Sequence, residues 1–314
     1  MFENNYDRLK EIVARGTLLW PPERQHTADG SLDLAENMAI WNRAVESFDS
    51  IPLWEQGAPG FDGRDPQQIQ PNLIFVPAQG QLGAPRGTVI VAHGGGFVCH
   101  AVHEGFHTAL RFAEEGFNTA VLTYRLRPYG RRDAMADMSR AVRLIRARRE
   151  ELGVSDRVTV LGYSAGGMLC ANCATHYDAG DPASEDPVDR CSSRPDAAVL
   201  CYGAFATVAF PEGIMRAPFG QPDRAERLYL APEKNVTADT PPFFIWQTIS
   251  DDPRHAFELG RALTEAGVPF DLHCFETGHH GVGLADGHND EGFSDAHLRQ
   301  WASLCASWLR VHGI

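Results

Sequence analysis

The sequence of 314 residues predicts an α/β fold with a mostly parallel, doubly wound sheet flanked by helices. Two observations predict it. From Asn72 onward, short apolar runs rich in β-branched residues alternate with amphipathic stretches of helical length. The composition, with 43% hydrophobic and 22% charged residues, is typical of a chain that buries a large core. We therefore expect one large domain over residues 72–314.

The segment before this alternation has a different pattern. Residues 1–71 combine helical periodicity, at Asn5 to Ala14 and at Leu32 to Phe48, with a stretch rich in Pro and Gly from Ile51 to Pro71. We interpret this segment as an N-terminal cap that belongs to the same domain. Its polar, acidic start lacks the basic and apolar regions of a signal peptide.

The alternation predicts seven strands and five helices. The predicted strands are Leu73 to Pro77, Thr88 to Ala92, Thr119 to Thr123, Val158 to Gly162, Ala197 to Cys201, Phe243 to Thr248 and Phe270 to Phe275. The predicted helices are His103 to Glu115, Arg132 to Glu151, Ala165 to Tyr177, Ala256 to Ala266 and Asp295 to Val311. The stretch from Gly203 to Pro242 breaks the pattern with Pro, Gly and charge, which predicts a lid-like insertion.

Charge and hydropathy argue against two classes of partner. The formal net charge of −13 would repel the phosphates of nucleic acids and of anionic lipids. No stretch approaches the roughly 18 consecutive apolar residues of a membrane span. The seven cysteines are an odd number and widely spread, which favours buried free thiols in a reducing compartment. We expect a cytoplasmic protein that binds neither nucleic acid nor membrane.

The motif Gly162-Tyr163-Ser164-Ala165-Gly166 follows a predicted β-branched strand and precedes a predicted helix. This is the setting of a nucleophile elbow, in which a tight turn needs small residues two positions before and after the serine. The helix that begins there directs its backbone N–H groups toward developing negative charge. The motif alone recurs by chance, but its position after a strand favours Ser164 as a nucleophile.

A second motif, His93-Gly94-Gly95-Gly96, also follows a predicted strand. Its glycines allow the backbone to approach the serine closely and to present N–H groups to an oxyanion. The spacings typical of phosphate-binding glycine loops are absent. We interpret His93, at the end of the strand, as an organiser of this loop and not as a general base.

A serine hydroxyl needs a histidine to take its proton and a carboxylate to orient that histidine. Two adjacent histidines follow the last predicted strand, and we prefer His280, within Gly-His-His-Gly, over His279. For the acid we prefer Asp251 over Asp252, because Asp252 precedes Pro253 and suits the N-cap of the next helix. Two groups of histidines, at positions 100, 103 and 107 and at 279, 280 and 288, could suggest a metal, but histidines on a helix face are more often polar or packing residues, so no metal site is expected.

With these motifs in this order, the chain resembles the α/β-hydrolase superfamily, in the esterase branch that has a His-Gly-Gly-Gly oxyanion loop. Trp246-Gln247-Thr248, the run from His280 to Ala285 and the segment from Ile51 to Gly60 are most similar to bacterial acetyl esterases and to acetyl-xylan or feruloyl-type carbohydrate esterases. The resemblance implies an α/β-hydrolase fold, no cofactor, and the following roles: Ser164 as nucleophile, His280 as base, Asp251 as acid, and Gly95, Gly96 and Ala165 as oxyanion donors.

The expected activity is therefore hydrolysis of short-chain carboxylic esters, acetyl esters foremost, with a small molecule or a saccharide ester as substrate. A general carboxylesterase and a serine peptidase or amidase of the same fold are the alternatives. A non-catalytic binding protein is the alternative from another class, against which the complete set of serine, histidine and aspartate argues. The sequence leaves open whether the chain forms a homo-oligomer.

Overall fold

The computed structural model describes residues 2–80, 86–206 and 224–314, and its centre is an eight-stranded sheet. Along the sheet the strands follow the order β1-β2-β4-β3-β5-β6-β7-β8. The strands are β1 (Ser50–Pro52), β2 (Asn72–Val76), β3 (Thr88–Ala92), β4 (Asn118–Thr123), β5 (Val158–Tyr163), β6 (Ala197–Cys201), β7 (Phe243–Thr248) and β8 (Phe270–Phe275). From β4 to β8 all neighbours are parallel, whereas β1 and β2 join antiparallel.

Helices cover both faces of the sheet. They are α1 (Asn5–Ala14), α2 (Leu34–Glu46), α3 (Val102–Glu114), α4 (Arg131–Ala147), α5 (Arg149–Leu152), α6 (Ser164–Thr175), α7 (Arg224–Leu230), α8 (Pro232–Asn235), α9 (Arg254–Ala266) and α10 (Trp301–Val311). One core contains Met138, Leu169 and Leu259 from α4, α6 and α9. The other contains Trp41 and Trp301 with residues of α3. Strands β2 to β7 are buried along their whole length, as expected for a parallel sheet between two helical layers.

The predicted fold class is confirmed, and the seven predicted strands lie within one residue of the observed ones. Two helix predictions are wrong in their bounds. The helix expected from Arg132 to Glu151 is divided at Arg148 into α4 and α5. The last α-helix begins at Trp301 and not at Asp295, because Asp295 forms a side-chain turn with the N–H groups of His297 and Leu298 and a 3₁₀ turn at Leu298–Gln300 follows it.

The N-terminal segment adds a strand to the sheet that the Pro- and Gly-rich pattern did not reveal. Strand β1 pairs antiparallel with β2 at the edge. Helix α1 is tied to the same region by Asn5, whose amide donates to the carbonyls of Asp49 (2.9 Å) and Phe75 (2.8 Å). The predicted insertion at 203–242 lies partly outside the described residues, which omit 207–223; its described part contains α7 and α8.

No helix in the described ranges is both long and apolar enough to cross a membrane. All seven cysteines are unpaired. The expectation that they are buried is wrong for Cys99, Cys191 and Cys274, which are partly exposed.

Candidate active site

Ser164 stands at the sharp turn between β5 and α6, with a left-handed φ of 50°. The turn has no room for side chains on its glycines. A Cβ on Gly162 would lie 2.2 Å from the carbonyl oxygen of Gly166, and a Cβ on Gly166 would lie 2.3 Å from that of Ala92. The spacing of glycines around the serine therefore reflects backbone packing between β5, α6 and β3, and this packing holds Ser164 in a strained conformation.

Ser164, His280 and Asp251 come together as a hydrogen-bonded series at the carboxyl ends of the strands. The Oγ of Ser164 lies 2.7 Å from Nε2 of His280, which belongs to the loop after β8. The Nδ1 of His280 lies 2.6 Å from Oδ2 of Asp251, in the 3₁₀ turn after β7. With Nδ1–H donating to the carboxylate, Nε2 is free to accept the serine proton.

The two neighbours that the sequence left as alternatives point elsewhere. The carboxylate of Asp252 pairs with Arg254, with two contacts of 2.6 Å, which lowers the pKa of Asp252. The predicted N-cap role of Asp252 is wrong by one position, because Pro253 is the N-cap residue of α9. His279 lies 3.3 Å from a carboxylate oxygen of Glu291 and packs edge-on against Phe293.

Burial lowers the pKa of His280, but the hydrogen bond and charge of Asp251 and the charge of Glu104 outweigh it, so the pKa is raised above its ordinary value. The side chain of His280 remains 45% exposed at the mouth of the site. An imidazole of raised pKa next to a serine is a stronger base once deprotonated. The arrangement therefore suits proton transfer from Ser164.

The glycine loop, residues 93–97, approaches Ser164 from the end of β3. Gly95 and Gly96 have φ values of 110° and 61°, which favour glycine. A Cβ on Gly95 would lie 2.1 Å from the carbonyl oxygen of Cys99, so this position also excludes a side chain sterically. Gly96, Ala165 and Ser164 line one cavity. The predicted oxyanion residues are thus brought beside the serine.

His93 is fully buried beneath this loop, and its ring hydrogen-bonds to Gly94 and His100 and not to Ser164. Its Nδ1 donates to the carbonyl of Gly94 (2.6 Å), and its Nε2 accepts from Nδ1 of His100 (2.8 Å). Its ring stacks on Tyr124 at 4.6 Å. Burial lowers the pKa of His93 to about 4, so the ring is neutral. These contacts connect His93 to the glycine loop and to His100, and its organising role stays a prediction.

Sequence reasoning missed the support that helix α2 gives to this loop. The side chain of Asn37 binds both backbone groups of His100: its amide donates to the carbonyl at 2.9 Å, and its Oδ1 accepts from the N–H at 2.8 Å. Trp41, one turn further along, stacks on the ring of His100 at 4.2 Å. The helical periodicity from Leu32 to Phe48 predicted a helix here but could not show which segment it faces.

Two further buried residues were missed, Glu104 of α3 and Tyr202 after β6. An oxygen of Glu104 accepts from the N–H of Gly94 at 2.6 Å, and the other accepts from the hydroxyl of Tyr202 at 2.7 Å. The same hydroxyl accepts from the N–H of Gly283 at 2.9 Å. The sequence signal available for Glu104 was a carboxylate in a predicted helix, placed between His103 and His107.

The sequence and the fold resemble those of known hydrolases. A family model described as BD-FAE matches residues 74–203, which include the glycine loop and Ser164. The crystal structure of an acetyl ester-xyloside bifunctional hydrolase from Caldicellulosiruptor lactoaceticus is 36% identical, with a TM-score of 0.76 over 84% of this chain and 96% of that one. The chain belongs to the esterases of the α/β-hydrolase superfamily.

Two other relatives of this α/β-hydrolase have names that refer to sugar substrates. A sugar hydrolase from Lactococcus lactis is 26% identical, with a TM-score of 0.63 over 78% of this chain and 95% of that one. An endo-1,4-beta-xylanase B from Butyrivibrio fibrisolvens is 32% identical over 219 residues, 67% of this chain. The chain spans only about a third (34%) of the length of that xylanase.

Two cavities of this α/β-hydrolase meet at Ser164 and His280. One, of about 230 Å³, is the more apolar and includes Phe97, Met168 and Ala204. The other, of about 310 Å³, is lined by polar and aromatic groups, among them Trp20, Gln25, His103, Asp290 and Glu291. A substrate bound across Ser164 would therefore meet different chemistry on its two sides. Within residues 2–80, 86–206 and 224–314, no three His, Cys, Asp or Glu side chains cluster as a metal ligand set.

Proposed function

We propose that this protein is a serine esterase that hydrolyses short-chain carboxylic esters, acetyl esters foremost, through a covalent acyl-enzyme. The observation that carries the proposal is the hydrogen-bonded series from Ser164 through His280 to Asp251, with contacts of 2.7 and 2.6 Å. Membership in the esterases of the superfamily and the glycine loop beside the serine support the same chemistry.

In the first half-reaction, the Oγ of Ser164 attacks the ester carbonyl while Nε2 of His280 takes the hydroxyl proton. The carbonyl oxygen becomes an oxyanion that the backbone N–H groups of Gly95, Gly96 and Ala165 would stabilise. The tetrahedral intermediate then collapses, its bond to the alcohol oxygen breaks, and the imidazolium returns the proton to the leaving alcohol. The acyl group stays on Ser164 as an ester.

In the second half-reaction, a water molecule attacks the acyl-serine, and His280 takes a proton from that water. The same N–H groups hold the second oxyanion. Collapse breaks the bond to the Oγ of Ser164, which regains its proton from His280, and the carboxylic acid leaves. Asp251 keeps the imidazole in the correct tautomer and stabilises its charged form throughout.

The two cavities support a division of the substrate. The apolar walls of Phe97, Met168 and Ala204 suit a small acyl group, and the volume of about 230 Å³ favours a short chain. The polar cavity with Trp20, Gln25 and Asp290 suits an alcohol with several hydroxyls, such as a saccharide. One relative named an acetyl ester-xyloside bifunctional hydrolase and another named a sugar hydrolase support a carbohydrate ester as the substrate.

The test is a panel of p-nitrophenyl esters of increasing acyl length together with acetylated saccharides, assayed with the wild type and with Ser164→Ala. We expect the activity to be highest on the acetate ester and to extend to acetylated saccharides. Ser164→Ala should lower kcat on the order of 10⁶-fold. The matched control is Ser47→Ala, an exposed serine at the end of α2, which should retain wild-type turnover.

Full activity of Ser164→Ala would contradict the nucleophile assignment. A preference for long acyl chains on simple alcohols would move the proposal to a general carboxylesterase. Cleavage of aminoacyl amides without ester hydrolysis would move it to a peptidase.

A further inference from the structure

A buried carboxylate that the proposed reaction does not use lies directly beneath the site. Glu104, in the first turn of α3, is only 2% exposed. A Cβ on Gly94 would lie 2.7 Å from its Oε2 and 2.8 Å from the Cβ of Ser164, so the carboxylate and the serine flank the same glycine. No arginine or lysine hydrogen-bonds to this carboxylate within the described ranges. Burial raises the pKa of Glu104, because the ionised form is costly to bury without a salt bridge, and its retention here calls for a specific reason.

The hydrogen bonds of Glu104 connect three segments that carry the proposed machinery. Oε2 accepts from the N–H of Gly94 in the glycine loop. Oε1 accepts from the hydroxyl of Tyr202, whose backbone follows β6 in a left-handed conformation with φ of 37°. That hydroxyl also accepts from the N–H of Gly283, three residues after His280. The glycine loop and the histidine loop are therefore joined through one carboxylate and one phenol.

The same pair lies against the imidazole. The ring of Tyr202 meets the ring of His280 edge-on, with centroids 5.2 Å apart. Next to Glu104 on α3, His103 also holds the histidine loop, since its Nε2 donates to the carbonyl of Gly281 at 3.0 Å. Two consecutive residues of α3 thus hold the segment that follows His280, His103 at Gly281 and Glu104, through Tyr202, at Gly283.

We propose that Glu104 is a positioning residue for ester hydrolysis: with Tyr202 it aligns the glycine loop and the histidine loop, and its buried negative charge stabilises the imidazolium that forms on His280. This inference rests on the proposed serine esterase function. During each half-reaction His280 gains a proton and an oxyanion forms nearby. A fixed negative charge in the same cavity stabilises the imidazolium, and alignment of the two loops serves the oxyanion.

Charged and titratable groups from every packed element face His280, and their sum sets its proton affinity. Asp251 after β7 hydrogen-bonds to it, Glu104 of α3 lies beneath it, and the charges of both raise its pKa. Other titratable groups share the two cavities with His280. The apolar cavity contains Tyr202, which contacts the ring, with Asp252 and His255, and the polar cavity contains Cys99, His100, His103, which is paired with Asp290, and Glu291, which is paired with His279. Removing the charge of Glu104 should therefore lower the pKa of His280.

The experiment compares wild type with two variants. Glu104→Gln keeps the shape of the side chain and removes its charge, whereas Tyr202→Phe keeps the charge of Glu104 and removes the hydroxyl that links it to Gly283. The matched control is Thr108→Val. Thr108 lies one turn further along α3, and its buried hydroxyl lies 2.7 Å from that of Tyr163, so the variant also loses a buried bond to a tyrosine. The measurements are kcat and KM for p-nitrophenyl acetate, the pH profile of kcat/KM, and Tm.

For Glu104→Gln we expect kcat to fall about 10- to 100-fold with little change in KM, and the acidic limb of kcat/KM to move to lower pH. Tyr202→Phe should lower kcat and leave the limb closer to that of wild type. Thr108→Val should change Tm alone. The proposal is overturned if Glu104→Gln lowers Tm while kcat and the pH profile stay as in the control. If Glu104→Gln does not fold, the same result for the kcat of Tyr202→Phe overturns it. Inactive wild type would instead refute the proposed function itself.

Discussion

The Nδ1 of His280 lies 2.6 Å from Oδ2 of Asp251, whereas the adjacent carboxylate of Asp252 binds Arg254. Two neighbouring aspartates point in different directions because Asp252 adopts a left-handed conformation with φ of 42° at the end of a 3₁₀ turn. One residue therefore orients the imidazole, and the other binds the backbone N–H and the guanidinium of Arg254, the first residue of α9.

This difference predicts unequal effects of two conservative substitutions. Asp251→Asn should lower kcat about 10⁴-fold, because the amide favours the wrong tautomer of His280 and no longer stabilises the imidazolium. Asp252→Asn should leave kcat near that of wild type, since it breaks an exposed ion pair worth about 1 kcal/mol or less. Steady-state kinetics on p-nitrophenyl acetate separate the two, and equal losses would contradict the assignment.

The pH dependence of the reaction follows from the raised pKa of His280. The base must be neutral to accept the proton of Ser164, so kcat/KM falls as the pH drops through this pKa. Because Asp251 and Glu104 raise the pKa against the effect of burial, we expect the acidic limb to be centred above the value of about 6.5 that is ordinary for histidine. A profile measured with p-nitrophenyl acetate whose acidic limb lies clearly below that value would contradict this expectation.

The sequence predicts those features whose constraints lie within a few neighbouring residues, and not those that depend on contacts between distant segments. The elbow around Ser164 was predictable because its constraints act within five residues and one preceding strand. The choice between Asp251 and Asp252 depended on which of two neighbours a turn directs inward, and sequence reasoning could only prefer one. The contacts of Asn37 with His100, and of Glu104 with Tyr202, span 63 and 98 residues and could not be read from periodicity.

The elbow glycines predict a steric cost that does not depend on backbone angles. In Gly166→Ala the new Cβ would lie 2.3 Å from the carbonyl oxygen of Ala92 and 2.4 Å from that of His93, so β3 and α6 must separate. We expect a loss of more than about 4 kcal/mol in the free energy of unfolding, or failure to fold. Gly153→Ala is the control.

Gly153 has a φ of 67°, but nothing lies within 4 Å of its Cβ position. The substitution should therefore cost only the left-handed strain, about 1 to 2 kcal/mol. Urea unfolding of the two variants compares them directly, and similar losses would show that backbone contact with β3 does not constrain the elbow.

The contact between α2 and the glycine loop predicts that a residue far from Ser164 in sequence controls the loop. In Asn37→Ala, the N–H and carbonyl of His100 each lose a buried partner, which should cost about 2 to 4 kcal/mol in the free energy of unfolding. Because His100 in turn binds His93 under the loop, kcat on p-nitrophenyl acetate should fall as well.

Asn42→Ala is the matched control for this substitution, since Asn42 lies on the same helix and its amide donates one bond, to the carbonyl of Gln67. It should cost about 1 kcal/mol and leave kcat unchanged. Urea denaturation and steady-state kinetics on both variants provide the comparison. If Asn37→Ala lost stability and kept its full kcat, the α2 contact would hold the fold together without setting the geometry of the glycine loop, and the oxyanion donors would have to be positioned from β3 and Glu104 alone.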